Sequence, residues 1–230
     1  MSFSPTFGRI FSPSFKPNSL AVPVVADGWW NLDGILNSCV GAWQPKGAKN
    51  SGASLLDISG NGNNASVLLD ITWDVDDGWT GGALSTGIAA DQTTSIIVRY
   101  ANRSRSIAAS VFGTNDNSPS RFKHLLYSET EIYTYFGNKS KVKAITSGIG
   151  VTCVVAICGQ STAGYKDYIN GNLTNTSADA VFTATGSNIL LRCSTTGNVP
   201  PHKFLAATIH QGTTLLDAQV ASISAAMAAL

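Results

Sequence analysis

The chain has 230 residues, 43% of them hydrophobic, and Lys+Arg 15 against Asp+Glu 14 leaves a net charge of +1. That length suits one large all-β domain or two smaller ones with a real core, and the hydrophobic share excludes a disordered acidic or basic chain. Near-zero net charge removes the long-range field of a duplex nucleic-acid binder, and no apolar run approaches the ~20 residues that span a bilayer.

Serine and threonine together number 47 and asparagine 16, whereas charged residues make up 13%, about half the usual ~25%. Surface polarity is therefore carried by hydroxyls and amides. The start lacks the basic-then-apolar plan of a signal peptide. Cys39, Cys153, Cys158 and Cys193 are scattered without a C-x-x-C pair, and only three histidines accompany them, which argues against zinc. They read as free, buried thiols, in keeping with a reducing site of synthesis.

Residues 1–26 differ from the rest. Phe3-Ser-Pro-Thr-Phe7-Gly-Arg-Ile and Phe11-Ser-Pro-Ser-Phe15-Lys-Pro-Asn form an imperfect repeat of eight. Pro5, Pro13 and Pro17 forbid a helix and push their predecessors toward extended conformations. Alternate side chains of an extended chain share a side, so Phe3, Pro5, Phe7, Phe11, Pro13 and Phe15 make one row of rings. Such a ribbon cannot bury its own rings, and in water it would be an aggregation hazard. It is expected to be an anchoring arm laid into a groove on a partner, the alternative being a cover over an edge of its own domain.

Residues 27–230 read as a single β domain. Short β-type runs at 39–43, 66–73, 95–100, 107–113, 122–127, 131–136, 151–158, 166–170, 173–176, 188–193 and 204–210 are separated by Gly, Asn, Asp and Ser clusters. Strands this numerous and short, without interleaved helices, predict a sandwich or jelly roll. Asn170-Gly171 predicts a type I′ hairpin, and the nearly continuous apolar run 151–158 predicts a central strand. An alanine-rich helix is expected over 216–230, with Leu216, Val220, Ile223, Met227 and Leu230 on its buried stripe and Asp217 at its start.

The run Leu56-Asp-Ile-Ser-Gly-Asn-Gly-Asn-Asn-Ala65 resembles the L-x-D-x-S-G-N-G-N-x-A loop of laminin G-like, concanavalin A-like jelly rolls. Val40-Gly-Ala-Trp-Gln-Pro-Lys-Gly-Ala48 is similar to the A-Y-Q-P-K-G-A segment that precedes this loop in phage-encoded members. The ending 205–230 and the arm's Gly8–Pro17 stretch look like the same phage proteins. The resemblance implies an all-β concanavalin A-like sandwich with an extended N-terminal arm and a short C-terminal helix. Some relatives bind calcium at loop carboxylates, for which Asp74, Asp76 and Asp77 are the obvious candidates, but three aspartates on one loop more often cap turns. No metal and no cofactor are expected.

Retaining glycosidases on the same sandwich carry E-x-D-x-x-E on one strand and need two carboxyl groups about 5 Å apart. This chain has only Glu129 and Glu131, with Thr130 and Ile132 where the remaining acids would stand. No G-x-S-x-G elbow and no P-loop are present, and the histidines suggest no triad, so no catalytic residue is expected. The arginines and lysines of 99–121 and 139–143 lack interleaved aromatics and read as solvated faces, not nucleic-acid sites. Trp29 and Trp30, adjacent in sequence, cannot both point inward if extended, which makes them candidate ligand or interface contacts.

The reading is a non-enzymatic bacteriophage virion component, a capsid decoration or tail part, synthesised in the host cytoplasm. The aromatic arm would hold it to other virion proteins, and the displayed domain would assemble as a homo-oligomer, a trimer being the simplest guess. Two alternatives are a carbohydrate-binding module that contacts host glycans and a polysaccharide hydrolase.

Overall fold

The computed structural model describes residues 28–32, 36–102, 109–117, 119–126, 131–144, 152–160, 162–191 and 202–230. The arm residues Phe3, Pro5, Phe7, Phe11, Pro13 and Phe15 lie outside these, as do Glu129 and Cys193. In chain order the strands are β1 (Cys39–Trp43), β2 (Ser66–Leu69), β3 (Thr72–Asp74), β4 (Gly78–Thr80), β5 (Ala83–Ala89), β6 (Ser95–Asn102), β7 (Ala109–Gly113) and β8 (Arg121–Leu126). Then come β9 (Glu131–Gly137), β10 (Lys139–Ala144), β11 (Thr152–Gly159), β12 (Tyr165–Ile169), β13 (Asn172–Ser177), β14 (Asn188–Leu191) and β15 (His202–His210). The helices are one turn, α1 (Ser51–Ser54), and α2 (Asp217–Ala229).

All strand pairs are antiparallel and fall into two sheets. One runs β13-β12-β11-β6-β15-β4-β3, with β1 also pairing β15; the other runs β10-β9-β8-β7-β14-β5-β2. Alternation along each strand sends one set of side chains between the sheets. Ile96, Val98 and Tyr100 of β6 meet Val111 and Phe112 of β7 in that core, together with Trp43, Trp79 and Phe204. The Trp79 and Phe204 rings stack at 5.5 Å, and Trp79 Nε1 donates to Ser54 Oγ at 2.8 Å. This is the all-β sandwich with a short C-terminal helix that the strand pattern predicts.

The opposite face of the β6 sheet carries a second, smaller core. Val220, Ile223 and Met227 of α2 cover Ile97, Val154, Ala156, Cys158 and Ala206, with Trp29 and Tyr168 alongside. Leu216 departs from the expected stripe: it precedes the first helical residue and is 64% exposed. The helix is fixed instead by Asp217, which accepts from Lys166 Nζ at 2.6 Å and from the Tyr168 hydroxyl at 2.8 Å.

Three strands have no counterpart in the sequence reading, and one expected strand divides. The run 66–73 becomes β2 and β3, edge strands of different sheets, because Asp70-Ile71 carries the chain from one layer to the other. Strand β4 has three residues, β5 is built from small residues around Gly87, and β10 alternates lysines, so none shows a clear β-type run. The Asn170-Gly171 hairpin forms as expected, with φ of 51° and 78° at the two turn residues. Strand β11 lies inside its sheet between β6 and β12, buried along nearly all its length.

Candidate functional site

The L-D-I-S-G-N-G-N-N-A loop is a staple for β1. Asp57 Oδ1 accepts from the Ala42 and Ser59 amides, both at 2.9 Å, and from Ser59 Oγ at 2.6 Å, while Oδ2 accepts from the Asn63 amide at 3.0 Å. Asn61 and Asn63 donate through Nδ2 to the Cys39 and Val40 carbonyls at 2.8 and 2.7 Å. A buried carboxylate with this many donors satisfies a tight loop without a metal. The aspartates of the β3–β4 turn are also engaged: Asp74 Oδ1 accepts from the Asp76 and Asp77 amides, and Lys203 bonds Asp77. No group of three or more His, Cys, Asp or Glu suited to a metal occurs among the described residues.

The two adjacent tryptophans diverge. Trp29 is 3% exposed, donates from Nε1 to Gln44 Oε1 at 3.0 Å and sits in the helix-side core, so its ring is closed to a ligand. Trp30 meets it edge-on, with centroids 5.5 Å apart, and is half-buried. Glu131 starts β9, and Glu129, the chain's other glutamate, lies outside the described residues. Cys39, Cys153 and Cys158 are free and buried; burial pushes their thiols up to about 11, 11 and 12, far from any reactive thiolate.

What the sequence did not reveal is a cleft of about 550 Å³ where the Leu36–Ser38 turn, the loop after β15 and the start of α2 converge. Its lining is Asn37, Ser38, Gln211, Gly212, Thr213, Thr214, Leu216 and Gln219, without a ring or carboxylate. The walls are fixed by neighbouring polar groups. Gln211 Nε2 donates to the Ala89 carbonyl at 2.6 Å and to Thr94 Oγ1 at 2.9 Å, and the Gly212 amide donates to Thr93 Oγ1 at 2.9 Å. Asp91 Oδ1 in turn accepts from both threonine hydroxyls. Gln219 Oε1 accepts from the Leu216 amide at 2.9 Å, the reverse half of a capping box.

Below the cleft runs a buried ladder. Thr208 Oγ1 lies 3.3 Å from the Gly41 carbonyl, which can only accept. His210 Nε2 shares a hydrogen bond of 3.2 Å with that hydroxyl and Nδ1 one of 3.1 Å with Ser38 Oγ, the hydroxyls taking whichever donor or acceptor role the ring's tautomer leaves them. Burial pushes the imidazole down to about 4, which keeps it neutral near pH 7. A serine on such a weak base, with a threonine where an orienting acid would stand, is poorly equipped for nucleophilic catalysis. The arrangement offers fixed, uncharged donors and acceptors.

No family model and no curated protein matches this sequence. Solved structures do resemble the fold. The botulinum neurotoxin serotype D binding domain aligns with TM-score 0.62 and 14% identity over 84% of this chain and 53% of its own. The binding domain of botulinum neurotoxin DC in complex with SialylT gives 0.63 and 13% over 84% and 52%. Trypanosoma rangeli sialidase in complex with sialic acid gives 0.59 and 10% over 82% and 33%. The chain thus spans about half the length of the toxin domains and a third of the sialidase. At such identities the likeness establishes the β-sandwich fold alone.

Proposed function

We propose that this chain is a non-catalytic glycan-binding module whose ligand occupies the cleft between the Leu36–Ser38 turn and the start of α2. The carrying observation is the lining: uncharged amides and hydroxyls on braced backbone, groups of the kind that bond sugar hydroxyls. Each neutral hydrogen bond contributes about 1 kcal/mol net, so four or five give a Kd near ~1 mM. Resemblance in fold to a toxin binding domain solved with SialylT and to a sialidase solved with sialic acid is consistent with this reading. It is tested on a glycan array with the full chain and its Asn37→Ala/Thr213→Val variant. Retained binding of a particular glycan class by the parent, lost in the variant, is expected; binding unchanged by the variant removes the cleft from the account.

A second reading is a bacteriophage virion part held to other virion proteins through residues 1–26. The observation that favours it is the row of rings at Phe3, Phe7, Phe11 and Phe15, which docking onto a larger surface would cover. Display in several copies would raise millimolar contacts to useful avidity. Incorporation into particles that survives Phe7→Ser/Phe11→Ser would sink this reading.

A further inference from the structure

The rim where the two sheets meet through Asp70-Ile71 is apolar and open. On β2, an edge strand that pairs only β5 among the described residues, Val67, Leu68 and Leu69 are 46%, 53% and 46% exposed. Val75, beyond the β3 edge, is 47% exposed, with Ile71 and Trp73 half-buried between. Consecutive aliphatics exposed on both faces of an edge strand, whose outer backbone edge pairs no other strand among the described residues, are a template for strand pairing. Acidic side chains flank it: Asp70, Asp74 and Asp76 are all exposed.

The amino-terminal ribbon has the complementary pattern. Pro5, Pro13, Pro17 and Pro23 all carry odd numbers. In an extended chain the backbone N–H groups of successive residues point to opposite lateral edges, so every missing donor falls on one edge and the other stays complete. A strand so built can pair on one side only, which is how a terminal strand closes a sheet without extending it. Its only charged side chains through residue 26 are Arg9 and Lys16, opposite in sign to the rim.

The point of exit favours docking within the same chain. Trp29 is tied to Gln44, the next residue's carbonyl (Pro45) holds Trp73 Nε1 of β3 at 2.8 Å, and the Gly47 amide donates to the Val75 carbonyl at 2.7 Å. The first described residues therefore lie within reach of the rim, and a short tether to a segment just before them gives millimolar effective concentration there. We propose that residues 3–15 of the same polypeptide add as a terminal strand along the β2–β3 rim, pairing through their even-numbered residues. This is independent of the cleft. Anchoring to foreign protein would require the ribbon to leave the rim, so the two placements are exclusive states of one segment.

Hydrogen–deuterium exchange of the full chain, held monomeric and checked by light scattering, tests this with two neighbouring substitutions. Ile10→Pro removes a donor from the pairing edge, whereas Arg9→Pro removes one from the edge already blunted. The amides of 66–69 should exchange about tenfold faster in Ile10→Pro than in the parent, and Arg9→Pro should match Arg9→Ala, which loses the same charge and keeps the amide. Equal exchange in parent and Ile10→Pro, or equal disruption by both prolines, overturns the proposal. Protection that appears only as dimer forms assigns the rim to a second copy's ribbon and overturns it also.

Discussion

Ser38 Oγ sits 3.1 Å from His210 Nδ1, and the two residues are 172 positions apart in the chain. The contact joins the turn before β1 to the end of β15, the strand that β1 pairs. It holds the Ser38 hydroxyl at the cleft with a neutral imidazole behind it. Its worth is positional, because a base driven down to about 4 takes up a proton poorly near pH 7.

Acid should unfold this domain through its histidines. Burial holds His210 at about 4 and His124, stacked on Phe112 at 5.4 Å, at about 3, both below the ordinary 6.5. The unfolded chain therefore binds these protons first. The stability involved is complete above ~6.5 and is lost as pH falls toward each folded value, at up to about 1.4 kcal/mol per pH unit per histidine. Urea unfolding should lose about 3 kcal/mol between pH 6 and 4.5 from the pair. His124→Met should recover roughly half of that loss, and an unchanged pH slope in the variant would contradict the burial argument.

Removing the Asp57 carboxylate should cost about 2–4 kcal/mol, since several donors lose their acceptor within a buried loop. Asp57→Asn should fall between parent and Asp57→Ala in chemical denaturation. Calcium should change none of these midpoints, because the carboxylate is already satisfied by protein donors.

Gly41 is where β1 passes over the Trp43 ring. A Cβ there would lie 2.5 Å from Trp43 Cη2 and 3.0 Å from Ile88 Cδ1. Gly41→Ala should destabilise by about 1–3 kcal/mol through overpacking, read as a lowered Tm with the near-ultraviolet tryptophan signal altered.

Local patterns made the sandwich legible, and long-range ones hid the site. Asn170-Gly171 announces its own turn, and the apolar run of β11 announces its burial, because both signals lie within a few residues. Strands β4, β5 and β10 carry short, small or lysine-rich segments whose pairing is decided by neighbours distant in sequence. The loop motif 56–65 was visible as a motif, but only the contacts to Ala42, Cys39 and Val40 show that it staples β1. The cleft was invisible for the same reason. Asn37, Thr213 and Gln219 are ordinary polar residues until β1 and β15 pair and bring them to one place.

The central claim is that the cleft takes a glycan, and amide chemical-shift mapping of the full chain during an oligosaccharide titration tests it most directly. Saturable shifts confined to Asn37, Ser38, Gln211–Thr214 and Gln219, with half-saturation near about 1 mM, are the predicted result. Saturable shifts centred elsewhere, or no saturable shift with any glycan that the array retains, would contradict it.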